Sequence, residues 1–132
     1  MYLTTNKMPA EYGSWLSKEN WDYFSTITFK HDIKPKRNES LMLRLETYLK
    51  GIGIKFKLFW VMEHTTNGYQ THNHLLIEGD GVKEAVHKYF KDKRLIDNRF
   101  VKHIPYEKEL GASYYVSKYI NQSNSKYGIA FS

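Results

Sequence analysis

Asn67-Gly68 stands between two runs of apolar and β-branched residues, and no other feature restricts the folding of the chain as strongly. A two-residue type I′ turn requires φ > 0 at both central positions, a conformation that Asn-Gly accepts. The stretch FWVMEHTTNGYQTHNHLLIEG, residues 59–79, therefore reads as an antiparallel hairpin. With the turn fixed, the register follows: Glu63 faces His72, Val61 faces His74, and His64 faces Thr71. Side chains alternate between faces along a strand, so Glu63, His72 and His74 emerge together. The Cβ atoms of Glu63 and His72 are expected ~5 Å apart. His64 falls on the opposite face and reads as structural.

One carboxylate and two imidazoles on a single sheet face suit a divalent ion such as Mg²⁺, Mn²⁺ or Zn²⁺, with coordination positions left open for water or substrate. An H-x-H by itself is weak evidence, and Glu–His pairs also occur on ordinary wet sheet faces. The fixed register is what sets this group apart.

At 132 residues the chain is read as one domain, 1–132, large enough to bury a core. It has no cysteine, which excludes disulfide staples and thiolate metal sites. No apolar run approaches the roughly 18 residues of a membrane span, and the N-terminus lacks a charged-then-apolar leader pattern, so a cytoplasmic protein of a prokaryotic host, without membrane contact, is expected. A net charge of +6 and a pI near 9.4, with 11 Tyr, 7 Phe and 3 Trp, supply cations for phosphates and flat rings for bases.

Residues 1–20 read as irregular, broken by Pro9 and Gly13. Residues 21–29, WDYFSTITF, are a strand. The basic loop that follows offers Lys30, Lys34, Lys36 and Arg37 to a phosphate backbone. Asn38 or Ser40 is expected to cap a helix with Leu41, Leu43, Leu45 and Leu49 in its stripe, ending at Gly51 and Gly53. After the hairpin, Gly81 opens a second helix over 82–95, with Val82, Ala85, Val86, Tyr89 and Phe90 on one face. Residues 99–106 form another strand, and a last helix covers about 111–121. The β-α-β-β-α-β order predicts an α+β fold of the ferredoxin-like, RNA-recognition-motif-like kind. Four to five antiparallel strands carry two helices on one face, leaving the other face for function and for the C-terminal helix.

That last helix holds Tyr115 and Tyr119 at i,i+4, with Lys118 beside Tyr115. A tyrosine pair at helical spacing is commonly core packing. Beside a metal site, however, a phenol can attack a phosphodiester.

The ordered set Ser25-Thr26-Ile27-Thr28-Phe29, His72-Asn73-His74 and Tyr115 to Asn121 (YVSKYIN) resembles the three motifs of HUH endonucleases. These include the rolling-circle replication initiators, or Rep proteins, of small plasmids and single-stranded DNA viruses, together with relaxases and certain transposases. The resemblance spans about residues 21–122. It implies a palm-like fold and Mg²⁺ or Mn²⁺ held by His72, His74 and an acidic residue, here Glu63. It also implies Tyr115 as nucleophile toward single-stranded origin DNA, presented as a hairpin or nick site. The products would be a 5′-phosphotyrosine and a free 3′-hydroxyl for a host polymerase, followed by strand rejoining.

Tyr115 with Tyr119 resembles the two-tyrosine subfamily, and Tyr115 with Lys118 equally resembles the Y-x-x-K of single-tyrosine members. Asn73 departs from the hydrophobic residue usual between the two histidines. It is expected on the helix-covered face, near solvent at the hairpin end. The chain has no G-x-x-x-x-G-K-[ST], so unwinding would fall to a host helicase. A transposase of the same superfamily, a non-catalytic nucleic-acid-binding module and a water-using hydrolase are the alternative functions.

Overall fold

The computed structural model describes residue 16 and residues 19–64, 71–107 and 126–131; the side chains of 63–64, 97–100 and 126–127 lie outside that description. Its elements run β1 (Tyr23–Phe29), α1 (Pro35–Gly51), β2 (Lys57–His64), β3 (Thr71–Glu78), α2 (Val82–Asp92), β4 (Ile96–Pro105) and β5 (Lys126–Phe131). They build one sheet in the order β4-β1-β3-β2-β5, with every neighbouring pair antiparallel. The first four strands and two helices have the ferredoxin-like arrangement expected from the sequence, and β5 adds a strand along the outer edge of β2. The Asn67-Gly68 turn, the N-terminal segment before residue 16 and the predicted helix over 111–121 lie outside the described residues.

The hairpin register is the one expected. Glu63 pairs with His72, Val61 with His74 and His64 with Thr71. On the other side of β3, β1 sets Thr28 against His72, Ile27 against Asn73 and Thr26 against His74. A slip of one residue would send both histidines to the helix side.

Both helices pack on one face of the sheet. Leu41, Met42, Leu45 and Leu49 of α1, with Val82, Ala85, Val86, Tyr89 and Phe90 of α2, close over Ile27, Phe29, Leu58, Trp60, Met62, Leu75 and Ile77. Leu43, expected in the stripe, is instead 42% exposed. It lies off the i, i+3, i+4, i+7 face that Met42, Leu45 and Leu49 define.

The start of α1 also differs from expectation. Pro35 opens it, with Lys34 as a cap residue that makes no side-chain cap bond, because the fixed φ of proline is already helical and its missing N–H would have been orphaned in any case. Asn38 is therefore inside the helix and buried, with no capping role.

Both helices end in the same backbone pattern. In α1, Gly53 has φ +78, Ile54 N–H donates to Leu49 O and Gly53 N–H donates to Lys50 O. In α2 the equivalent position is Arg94, with φ +58; Leu95 N–H donates to Phe90 O and Arg94 N–H to Lys91 O. This stop ends the helix at Asp92, short of the expected Leu95, and lets β4 begin at Ile96.

β5 was not anticipated, and one glycine explains how it fits. Gly128 pairs with Trp60, and a Cβ at Gly128 would lie 2.5 Å from the indole Nε1. The bare backbone leaves room for the ring.

The face opposite the helices is not the open platform that was expected. A row across four strands, Phe24, Leu76, Phe59 and Ile129, is buried there, as is Val61 beside it. The polar part of this face is confined to the hairpin end.

Arg94 carries the cost of a left-handed conformation that glycine accepts freely. Arg94→Gly is expected to raise stability by about 1 kcal/mol, read as a higher Tm in thermal unfolding. A lower Tm would mean that the arginine side chain contributes more than its backbone costs.

Candidate functional site

At the hairpin end, β3 presents His72 and His74 on the helix-free face, with ring centroids 6.4 Å apart and planes 15° from parallel. His72 is partly exposed and His74 only 6% exposed. Each ring is held at its Nδ1 edge by β1. Thr28 Oγ1 lies 2.8 Å from Nδ1 of His72, and Thr26 Oγ1 lies 3.2 Å from Nδ1 of His74. Phe24, one step along the same face, lies parallel to the His74 ring at a centroid distance of 5.9 Å.

In the tautomer with hydrogen on Nδ1, both rings donate to threonine hydroxyls and direct the Nε2 lone pair toward an electrophile. This is the arrangement metal-ligating histidines usually adopt. Thr26 and Thr28 were legible as part of a motif but carried no assigned role. Their task follows from the register, which sets a hydroxyl directly opposite each imidazole.

Glu63, the third member of the expected set, is the β2 partner of His72, so the backbone brings Glu63, His72 and Thr28 into one cross-strand row. Its side chain lies outside the described residues. Among the described residues, no three His, Cys, Asp or Glu side chains form a group that could hold a metal ion. The donor set of two imidazoles and a register-matched carboxylate is chemically suited to Mg²⁺, Mn²⁺ or Zn²⁺. Tyr115, Lys118 and Tyr119 lie outside the described residues.

Of the expected phosphate-binding residues, Lys30, Lys34, Lys36 and Arg37 are all exposed. Lys34 Nζ is 3.3 Å from Asp32, which partly offsets its charge. Because α1 begins at Pro35, Lys36 and Arg37 project from its first turn rather than from a loop. With Lys34, Ser40, Leu41 and Arg44 they line a shallow groove. Arg44 was missed by the sequence reading, although it sits two turns beyond Arg37 on a helix and so shares its side.

A second histidine cluster lies across the sheet. Ser25 Oγ, fully buried, is 2.6 Å from Nδ1 of His103, whose Nε2 is 3.3 Å from Nδ1 of His87. Burial, followed by the neighbouring His87 and Lys83, lowers the His103 pKa to about 4 against the opposing pull of Glu84. The ring is neutral at pH 7.

Residues 22–124, most of the chain, match the model of a family of replication-associated proteins, the ORF2 type. The protein belongs to this replication-associated protein family, and that membership supports a role in the initiation of DNA replication. No curated protein and no solved structure matches the chain. Among the described residues, no helix is long and apolar enough to cross a membrane.

The depressed pKa of His103 fixes the sign of a pH effect. The unfolded chain takes up a proton near pH 6.5, whereas the folded ring resists it until about pH 4. The folded state is therefore penalised progressively as pH falls through that window. Tm is expected to drop between pH 6.5 and 4, with a shallower drop in His103→Gln. Identical slopes in the two proteins would remove His103 as the cause.

Proposed function

We propose that this protein is a replication initiator of the HUH endonuclease type, nicking single-stranded DNA at an origin and later rejoining strands. The observation that carries the reading is the pair of co-facing imidazoles on β3, each held by a threonine of β1, with Glu63 opposite His72 in register. Membership of a replication-associated family supports the same biology. When bound by Glu63, His72 and His74, Mg²⁺ or Mn²⁺ supplies Lewis-acid polarisation of the scissile phosphate.

The remaining work falls to the chain's own groups. Thr26 and Thr28 hold the imidazoles in one tautomer and orientation. Lys36, Arg37 and Arg44 draw in the phosphate backbone, an attraction independent of sequence and weakened by salt. The phenolic oxygen of Tyr115 bonds to phosphorus, and the bond from phosphorus to the 3′ oxygen breaks. The phenol proton is lost and the departing oxygen gains one, giving a 5′-phosphotyrosine and a 3′-hydroxyl that a host polymerase extends. Lys118, three residues on, favours the phenolate electrostatically; Tyr119 has Gln122 at that spacing, a neutral group. Tyr119 is accordingly assigned to the later transfer, and a host helicase to unwinding.

The test is a denaturing gel with a single-stranded origin-derived oligonucleotide, with Mn²⁺ or with a chelator. Wild type is expected to give a covalent protein–DNA adduct only with metal. Tyr115→Phe is expected to lose the adduct and Tyr119→Phe to keep it. His72→Ala and His74→Ala should abolish cleavage but leave weak, salt-sensitive binding. Product free of protein would indicate attack by water, and binding without cleavage would indicate a recognition module; either overturns the proposal.

Thr28→Val, nearly isosteric, is expected to weaken Mn²⁺ binding by roughly 10- to 100-fold, the usual effect of removing the partner that orients a ligating histidine. Unchanged Mn²⁺ affinity, measured calorimetrically, would show that the threonine plays no part in orienting the ligand.

A further inference from the structure

Asn73 interrupts an otherwise apolar pattern. On the helix-covered face of β3, Leu75 and Ile77 are buried core residues, and the register partners of Asn73, Ile27 and Met62, belong to the same core. Asn73 was expected near solvent at this end of the hairpin. It is instead fully buried and bonded in both directions to Asn38 of α1: Asn38 Nδ2 donates to Asn73 Oδ1 at 3.0 Å, and Asn73 Nδ2 donates to Asn38 Oδ1 at 2.8 Å. Two residues back on the same face, buried Thr71 is held just as firmly. Its Oγ1 accepts from Ile33 N–H and donates to Ile33 O, both at 2.9 Å.

Four consecutive side chains of β3 are therefore hydrogen-bonded, alternately to one side of the sheet and the other: Thr71 to Ile33, His72 to Thr28, Asn73 to Asn38 and His74 to Thr26. The polar clamps on the helix side stop where the histidines stop. Apolar residues at 38 and 73 would fill the same space without orphaning a donor, so cohesion alone does not call for an amide pair. What the pair adds is direction, since two opposed hydrogen bonds admit one rotation and one register between helix and strand, whereas apolar packing tolerates sliding.

We propose that Asn73, locked to Asn38 and supported by the Thr71–Ile33 clamp, is a positioning residue for His72 and His74. It ties their strand to the basic start of α1, so that the imidazoles and the phosphate-attracting Lys36 and Arg37 form one rigid unit. The catalytic part of this inference rests on the proposed function; the geometric part does not.

The experiment compares wild type with Asn38→Leu/Asn73→Leu, in which both amides are removed together. Three readouts are taken: ring-nitrogen NMR of the two histidines, Mn²⁺ affinity, and kcat and KM for cleavage of the single-stranded oligonucleotide. The double variant is expected to fold, with a Tm close to wild type and unchanged KM. Its His72 and His74 rings should lose their single tautomer, with Mn²⁺ affinity and kcat each falling about tenfold or more.

Thr71→Val and Thr71→Ser provide an independent pair should the double variant fail to fold. Valine is expected to shift the same ring signals and serine to preserve them. Unaltered ring signals in the double variant, or in Thr71→Val where the double variant does not fold, would overturn the proposal and reduce the amides to packing. A wild type that neither binds Mn²⁺ nor cleaves DNA would overturn the proposed function instead, while the ring signals would still decide the positioning role.

Discussion

The antiparallel register of β3 with its two neighbours is the constraint on which the rest of the site depends. Pairing is all-or-none in its consequences: because side chains alternate, one register puts His72 and His74 on the helix-free face, and the next one buries them under α1. The same choice brings Thr26 and Thr28 across from the rings and delivers Asn73 to Asn38. The buried apolar residues on both faces enforce it. Sliding β3 by one would place Leu75 and Ile77, now in the helix-side core, where Leu76 and the imidazoles stand. Hydrophobic burial thus selects the register, and the polar contacts refine what it has selected.

β1 shows how one short strand can serve three purposes by alternation alone. In Ser25-Thr26-Ile27-Thr28-Phe29, the residues facing the helices are Ser25, which meets His103, and Ile27 and Phe29, which enter the core. Thr26 and Thr28 face the other way and hold the two histidines. Threonine suits this position twice over. Its β-branch favours the extended backbone, and its hydroxyl supplies a short, well-placed partner for a ring nitrogen.

Much of this was legible because it is local or periodic. The Asn-Gly pair implied the hairpin register, the order of elements implied strand order in the four-stranded core, and Gly53 marked the end of α1. What escaped the sequence reading depends on contacts between distant segments. β5 is short and its Gly128 weakens a strand pattern; only the Trp60 ring across from it explains the glycine. Asn38 reads as a helix cap by residue type, yet Pro35 had already started the helix, and the amide of Asn38 was claimed by Asn73, 35 residues away. Arg94 gives no sign in the sequence that it will take a glycine's conformation. The helix-free face was expected to be open because alternation identifies faces, but it does not say what lies over them.

The charge distribution sets the last constraint on how a nucleic-acid strand could use this site. The groove cations Lys34, Lys36, Arg37 and Arg44 belong to the start of α1, on the helix side, whereas the imidazoles face the other way. Phosphate attraction and the proposed chemistry are therefore separated by the thickness of the sheet, and they meet only at the hairpin end, where Ile33 is bonded to Thr71. A strand held by both must pass around that end rather than lie flat across the sheet, as bases do when stacked on an open aromatic platform. The buried row Phe24, Leu76, Phe59 and Ile129 points the same way, since rings already enclosed in the fold offer no stacking surface. The hairpin end combines a cationic approach with a pair of oriented imidazoles, and the polar clamps on β3 are concentrated there because two functions carried on opposite faces must keep a fixed offset to act on one phosphate.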